Sequence, residues 1–192
     1  MTPASISVLT ICGIDELPSH GARAVSHVLS VLDPERPDLT EFGGYGDHHR
    51  TTLRFHDIID PQAGRIMPAR EHMDAIIDFG ETLLGSREDR TEGHLLVHCH
   101  MGISRSTAAM VTLMAQVEPE LSDEQLFERL REIRPQAWPN SVMIAMADEM
   151  LGRGGGLVEA LRLHYGHQKK MQPKYNVWMA ELGRTRELEM AL

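Results

Sequence analysis

Residues 94–107 read His-Leu-Leu-Val-His-Cys-His-Met-Gly-Ile-Ser-Arg-Ser-Thr, and this stretch decides the fold. The short apolar run at residues 95–97 predicts a buried strand, and the almost wholly apolar stretch at 106–117 predicts a helix. Cys99 follows the strand, and Arg105 stands six residues later, where the helix begins. This spacing predicts a tight loop whose backbone N–H groups, guanidinium and helix N-terminus surround one anion beside a thiol sulfur. The stretch therefore predicts a phosphate site that contains its own nucleophile.

The pattern is specific only when its flanking residues are included. In a chain with 2 cysteines, composition alone would place an Arg at this distance from a Cys roughly one time in six. Requiring His98 before the Cys, Gly102 after it and Ser106 after the Arg lowers this to on the order of one in ten thousand. A buried core cysteine is the alternative interpretation of Cys99. The strand before the loop and the helix after it favour the anion site.

At residues 97–106, Val-His-Cys-His-Met-Gly-Ile-Ser-Arg-Ser resembles the signature loop of the cysteine-dependent protein tyrosine phosphatases, and its ending resembles their dual-specificity branch. A second match lies downstream, where Arg-Pro at 134–135 and Pro-Asn at 139–140 resemble the residues that open a late helix in that branch. The resemblance is specific over residues 95–151, extends to 5–84 and is absent from the C-terminal remainder. The whole chain resembles the small tyrosine phosphatases of proteobacteria.

Composition and charge restrict the class of protein. The chain has 192 residues, of which 42% are hydrophobic and 24% charged, and this fits one globular domain with a buried core. No apolar run is long enough to span a membrane, and no secretory signal is visible. Two cysteines far apart in sequence predict free thiols and a cytoplasmic protein. The net charge of −9 disfavours nucleic acid and membranes as partners, and a monomer is expected.

The hydrophobic pattern first alternates strands with helices and then becomes helical. Strands are predicted over residues 6–11, 24–32, 51–55 and 95–97, with a long loop at 33–50, a helix around residues 73–84 that ends at Gly85, and a polar loop at 86–93. A capping box from Ser122 to Gln125 predicts a helix to about residue 133. Further helices are predicted from Pro-Asn at 139–140 to 151, over 157–166 and over 175–191.

These elements predict an α/β fold with a central mixed or mostly parallel sheet of about four to five strands, flanked by helices. The resemblance implies a dual-specificity-phosphatase-like arrangement with extra C-terminal helices. Residues 1–151 are expected to form the phosphatase domain, and residues 152–192 a helical extension of the same domain. The signature lies at the carboxyl end of a strand, where ligands bind in such sheets.

A role follows for each residue of the signature. Cys99 is the expected nucleophile, held as a thiolate by the helix N-terminus, the loop N–H groups and Arg105, and it forms a phosphocysteine intermediate. Arg105 holds two phosphate oxygens with its planar guanidinium. The substrate phosphate binds the N–H groups of His100, Met101, Gly102, Ile103 and Ser104. Gly102 permits a backbone conformation that is closed to other residues.

Three further roles are assigned around the loop. Ser106 resembles the hydroxyl that donates to the sulfur as the thiolate leaves, and a helix cap is its alternative role. His98 is expected to brace the loop through a buried hydrogen bond. The leaving oxygen needs a proton. In the family that the chain resembles, an Asp on a loop after a strand supplies it, so the resemblance implies that Asp57, at the end of the third predicted strand, is the general acid, with Asp60 in the same loop as the alternative. A solvated turn carboxylate is the plainer interpretation of both.

Other features are compatible with different chemistry. Five histidines lie near the expected site, yet none has the spacing of a known zinc motif, so no metal and no cofactor are predicted; they are His48, His49, His56, His98 and His100. Cys12 is expected to be a buried strand thiol, with a disulfide to Cys99 under oxidation as the alternative. The basic residues Lys169, Lys170 and Lys174 predict a solvated helix face, with a site for an acidic partner as the alternative.

Phosphomonoester hydrolysis is the leading function, on a phosphorylated protein (phosphotyrosine above all) or a small phosphomonoester. Residues 100–104 contain no Lys or Arg, unlike the lysine-bearing loops of phosphoinositide phosphatases, so a polyanionic lipid is disfavoured. Residues 33–50 and 61–68 are the predicted walls of the pocket. Two alternatives stay open. One is a phosphate- or phosphopeptide-binding module without turnover. The other is a redox enzyme of the arsenate-reductase type, since other folds also use a Cys-x5-Arg loop.

Overall fold

A four-stranded parallel sheet forms the centre of the computed structural model, which describes residues 6–85 and 93–192. Its strands are β1 (Ile6–Cys12), β2 (His27–Leu32), β3 (His49–Arg54) and β4 (Gly93–His98). They lie in the order β1-β4-β2-β3, and each pairing is parallel. β4 is an inner strand with all six residues buried, so the signature begins in the middle of the carboxyl edge. The predicted α/β class is confirmed.

Helices pack against the sheet, and further helices follow in the C-terminal part of the chain. They are α1 (Arg70–Gly85), α2 (Arg105–Val117), α3 (Asp123–Ile133), α4 (Ser141–Met150), α5 (Gly156–Met171), α6 (Tyr175–Glu181) and α7 (Thr185–Met190), with short 3-10 helices at Ile14–His20 and Glu41–Gly44. The predicted capping box forms at Ser122, and Asn140 caps α4. None of the helices in the described part of the chain is long and apolar enough to cross a membrane.

Several predicted boundaries are wrong by a few residues. β2 begins at His27 rather than residue 24, because the pairing with β3 and β4 begins there. α5 runs to Met171, past the predicted end at 166, and stops before Pro173. The helix predicted over 175–191 is broken at Gly183, whose φ of 74° lies in the left-handed region that favours glycine. Most of the polar loop predicted at 86–93 lies outside the described residues.

The C-terminal helices share their core with the helices on the sheet. Tyr165 of α5 stacks on Trp138 with ring centroids 4.3 Å apart, and Tyr175 of α6 meets the same indole edge-on at 5.5 Å. All three rings are almost completely buried, within the same apolar cluster as α2 and α4. Aromatic side chains of this size contribute much of the burial energy of a core. Residues 156–190 are thereby fixed beside the segment that leads into α4.

Two buried histidines make stability depend on pH. His98 and His164 have no exposed surface, and their Nε2 atoms bond to Ser30 Oγ at 2.7 Å and to the Ala137 carbonyl at 2.9 Å. Burial lowers the pKa of each to about 4. The unfolded chain takes up these protons near pH 6.5, so stability is lost as the pH falls from there towards 4. The expected loss is about 2 kcal/mol per histidine at pH 5.

Urea unfolding at pH 7.5 and pH 5 measures this loss. His164→Gln, whose amide can still donate to the Ala137 carbonyl, is expected to lose about 2 kcal/mol less than the unaltered chain between the two pH values. The control is His167→Gln on the exposed side of the same helix. Partial burial and the nearby Arg131 and Lys170 lower the pKa of His167, so this variant is expected to lose less stability than the unaltered chain, by a smaller margin than His164→Gln. Equal losses in all three proteins would contradict the assignment.

Candidate active site

The signature loop, residues 99–104, joins β4 to α2 and is held from outside by its carbonyl groups. The carbonyls of residues 100–104 accept hydrogen bonds of 2.8–3.4 Å from the N–H groups of Ile14, Trp138 and Asn140 and from the Arg134 guanidinium. No N–H group of these five residues has a hydrogen-bond partner within residues 6–85 and 93–192. A ring of unpaired N–H groups at a helix N-terminus is suited to bind a phosphate group.

Arg134 is the first residue of the Arg-Pro pair in the second sequence match, and it holds the signature loop in place. Its Nε donates to the Gly102 carbonyl at 2.9 Å and its Nη2 to the Met101 carbonyl at 3.0 Å. The same guanidinium pairs with both carboxylate oxygens of Glu16, at 2.9 and 2.7 Å. The planar fork of arginine can satisfy all these acceptors at once. The match therefore marks a residue that fixes the loop's shape.

Gly102 is required by the close packing of the loop on the end of β1. Its φ of 67° lies in the left-handed region, and a Cβ at this position would lie 2.4 Å from the Cys12 carbonyl carbon. Any side chain would therefore clash with backbone atoms that cannot move independently.

Cys99 lies at the floor of the loop. It is 2% exposed, and its Sγ lies 3.1 Å from the Oγ of Ser106, which is fully buried in the first turn of α2. The hydroxyl thus contacts the sulfur directly. Cys12, the other cysteine, is a free and fully buried thiol whose pKa burial raises to about 12. It is therefore protonated at neutral pH.

Arg105 is buried at the start of α2 and is oriented by a residue that the sequence reasoning missed. Its Nη1 donates to Asp33 Oδ1 at 2.7 Å and to the Phe55 carbonyl. Its Nε is buried with no partner in the described part of the chain, so a donor is left for a ligand. Asp33 directly follows β2, and its other oxygen lies 3.8 Å from His100 Nε2. The sequence did contain a signal for Asp33, because it is an acidic residue immediately after a predicted buried strand.

Asp57 reaches the same loop from the end of β3. Its Oδ1 accepts hydrogen bonds from Ser104 Oγ at 2.8 Å, from Asn140 Nδ2 at 3.0 Å and from Arg184 Nη2. Burial on its own would raise the pKa of Asp57. The cations of Arg184 and Arg105 and the two neutral donors outweigh burial and hold this pKa below its usual value.

Asp60, the alternative acid, lies elsewhere. Its side chain is 58% exposed, pairs with Arg186 at 3.1 Å and does not line the cleft above the loop. The geometry therefore favours Asp57.

A cleft of about 430 Å³ opens above the loop. Seven of the residues predicted for the site line it, namely Cys99, Arg105, Asp57, His100, Met101, Ile103 and Ser104. Gly102 and Ser106 do not line it: the first shapes the backbone and the second lies beneath the sulfur. The predicted walls at 33–50 and 61–68 contribute Asp33, Gln62 and Arg65.

Ile58 and Trp138 also line the cleft. Five further lining residues come from α6 and the turn between α6 and α7, which the sequence reasoning did not place at the site. These residues are Trp178, Met179, Glu181, Leu182 and Arg184. They lie outside the segment that carries the family resemblance, so no motif marked them.

Two of the histidines near the site, His56 and His98, make ordinary protein contacts. His56 Nε2 lies 3.0 Å from Glu35 Oε1, and its Nδ1 accepts from the Ile66 N–H at 2.9 Å. His98 makes the buried hydrogen bond expected of it, to Ser30. Over residues 6–85 and 93–192, no three His, Cys, Asp or Glu side chains are grouped as the ligands of a metal would be.

Known proteins similar to this chain include several phosphatases. No family model matches the chain. Human protein phosphatase Slingshot homolog 3 is 50% identical over 52 residues, which are 27% of this chain and 8% of that protein. Rat dual specificity protein phosphatase 12 is 37% identical over 70 residues, 36% of this chain and 19% of that protein. The crystal structure of Tk-PTP in the active form superposes with a TM-score of 0.55 and 17% identity, over 80% of this chain and 99% of that one.

These likenesses show that the chain has the fold expected of the predicted class. The chain has the fold of the cysteine-dependent protein tyrosine phosphatase superfamily and is similar in sequence to its dual-specificity members. The matched segments span less than a fifth of the two curated relatives named above.

Proposed function

We propose that this chain is a cysteine-dependent phosphomonoesterase of the tyrosine and dual-specificity class, acting through a phosphocysteine. The observation that carries the proposal is the Cys99 sulfur at the floor of a loop of unpaired N–H groups. The Arg105 guanidinium lies beside this loop, and the Ser106 hydroxyl lies 3.1 Å from the sulfur. A module that only binds phosphate has no need of this thiol, and the Ser106 contact favours hydrolysis over a redox reaction.

In the first step, the Cys99 thiolate attacks phosphorus, the S–P bond forms and the bond to the leaving oxygen breaks. Asp57 in its protonated form donates a proton to that oxygen. The loop N–H groups and Arg105 bind the three phosphoryl oxygens and stabilise their charge in the transition state. Asp33 orients the Arg105 guanidinium for this contact by accepting a hydrogen bond from its Nη1.

In the second step, water attacks the phosphocysteine, the S–P bond breaks and inorganic phosphate leaves. Asp57, now ionised, takes a proton from the water as the general base. Ser106 donates its hydroxyl hydrogen to the departing sulfur, which stabilises the thiolate. Both steps balance without a metal or cofactor.

The substrate is a phosphorylated protein, with phosphotyrosine preferred, or a small phosphomonoester. Ile103 and Trp178 give the cleft an apolar wall suited to an aryl group. Arg105 is the only Lys or Arg in residues 99–106, which suits a singly phosphorylated group better than a polyanion. The thiolate requires a reducing compartment, so we place the protein in the cytoplasm.

Hydrolysis of p-nitrophenyl phosphate by the purified chain in EDTA tests the function. We expect steady phosphate release in EDTA. In a parallel assay without EDTA, which would chelate vanadate, we expect vanadate to inhibit this release. Turnover that requires an added divalent metal would contradict the proposal. Tight phosphopeptide binding without phosphate release would favour the binding module, and arsenate reduction faster than phosphate release would favour the redox enzyme.

Asp57→Asn tests the general acid. Because an amide cannot give up a proton, we expect the rate on phenyl phosphate, a poor leaving group, to fall about 10²- to 10⁴-fold. The loss should be much smaller on p-nitrophenyl phosphate, whose leaving group needs less help. Asp60→Asn is the matched control and is expected to retain the activity of the unaltered chain on both substrates. A larger loss of rate in the Asp60 variant would show that Asp60, and not Asp57, is the general acid.

A further inference from the structure

We propose that Arg184, between α6 and α7, is a positioning residue for Asp57, so that the C-terminal extension completes the active site. This inference rests on the proposed phosphatase function and deepens it. Arg184 is 4% exposed and lines the cleft. It lies 127 positions after Asp57 in sequence, in the segment that carries no family resemblance.

One nitrogen of Arg184 joins the acid to the signature loop. Nη2 donates to Asp57 Oδ1 and to the Asp57 carbonyl at 3.1 Å, and it lies 3.1 Å from Ser104 Oγ. Ser104 Oγ in turn donates to the same carboxylate oxygen at 2.8 Å. The guanidinium therefore fixes both the backbone and the side chain of Asp57 relative to the loop that holds the phosphate.

The other side of Arg184 is anchored in the core by Glu187. Arg184 Nη1 donates to Glu187 Oε1 at 3.2 Å and to Oε2 at 3.1 Å. Glu187 has no exposed surface and also accepts from Trp138 Nε1 at 2.7 Å and from the Ser141 N–H at 2.8 Å. These partners lie just before and at the start of α4, so Arg184 has little freedom to move. A fixed cation can hold a carboxylate to the tolerance that proton transfer requires.

Charge gives this contact a second effect. The groups facing Asp57 are Arg105 from α2, His100 from the loop, Tyr165 from α5, and Arg184 with Glu187 behind it. Arg184 is the cation in direct contact, and it favours the ionised carboxylate. A bound phosphate brings negative charge beside Asp57 and favours the protonated form. Arg184 thereby sets the pH at which Asp57 can act as an acid.

Replacing Arg184 separates positioning from simple structural support. The variants are Arg184→Lys and the double change Arg184→Met with Glu187→Gln, which avoids leaving a lone buried carboxylate. In the double variant we expect the rate on phenyl phosphate to fall about 10- to 100-fold and the rate on p-nitrophenyl phosphate to fall much less. The alkaline limb of kcat should move to higher pH, because the cation that lowers the pKa of Asp57 is gone. In Arg184→Lys the charge remains, so the limb should stay in place while the phenyl phosphate rate falls.

Arg186→Met is the matched control, because Arg186 is half-exposed on α7 and pairs with Asp60. We expect it to change neither the rates nor the pH profile. Carbon-13 NMR titration of the Asp57 carboxyl supplies a readout that needs no turnover, and we expect the pKa to rise in the double variant. A folded double variant with an unmoved limb and equal losses on both substrates would overturn the proposal, as would an unmoved NMR titration. Inactivity of the unaltered chain would instead reject the phosphatase function.

Discussion

Cys99→Ser is expected to reduce hydrolysis of p-nitrophenyl phosphate to background, a loss of about 10⁴-fold or more. The sulfur lies at the floor of the signature loop, and the Ser104 hydroxyl, which also lines the cleft, donates to Asp57. A serine hydroxyl is a far weaker nucleophile there, because it ionises far less readily than a thiol. Steady-state rates measure the loss.

The fold and the phosphate site are expected to survive this change. Serine is slightly smaller than cysteine, so Cys99→Ser should still bind vanadate or a phosphotyrosine peptide. Cys12→Ala is the matched control, because Cys12 is buried and does not line the cleft. It should retain activity within a few-fold, apart from the stability lost with the small cavity. Retained turnover in Cys99→Ser, or an equal loss in Cys12→Ala, would contradict the assignment.

Arg105→Lys is expected to lower kcat by on the order of 10³-fold. One planar guanidinium now bonds to Asp33 and the Phe55 carbonyl while its Nε keeps a donor for the ligand. A lysine ammonium is a point charge and cannot keep these partners while gripping two phosphate oxygens. The loss should appear on p-nitrophenyl phosphate as well as phenyl phosphate, because Arg105 binds the phosphoryl group, which is the same in both substrates.

Arg65→Lys provides the comparison for this variant. Arg65 also lines the cleft but is exposed at its rim, so exchanging one cation for another should change kcat little. Thermal melts of both variants check that the fold is intact. An Arg105→Lys rate within tenfold of the unaltered chain would show that bidentate contact is not needed.

The local parts of the site could be predicted because their causes are local. The strand before Cys99, the helix after it and the glycine at 102 follow from apolar runs and from one backbone conformation. The caps at Ser122 and Asn140 were recognisable because a cap bonds to N–H groups two or three residues away. Each of these signals lies within a few residues of the structure that it specifies.

The contacts between distant segments could not be predicted. Asp33 meets Arg105 across 72 positions, and Arg184 meets Asp57 across 127. The spacing of apolar residues does not indicate which charged residues will pair. The position of Asp33 in the sequence is equally typical of a turn residue. The division of the last predicted helix at Gly183 depends on one glycine, yet it places Arg184 between α6 and α7. Long-range pairing of this kind is decided by the packing of the whole chain.

The central claim is a covalent phosphoryl group on Cys99 during turnover. Acid quenching of the unaltered chain within the first turnover of p-nitrophenyl phosphate, followed by peptide mass spectrometry, tests it most directly. We expect the peptide that contains Cys99 to carry the mass of one phosphoryl group, and the adduct to disappear once substrate is exhausted. A phosphoryl group on another residue, or rapid turnover with no adduct at any quench time, would contradict the account.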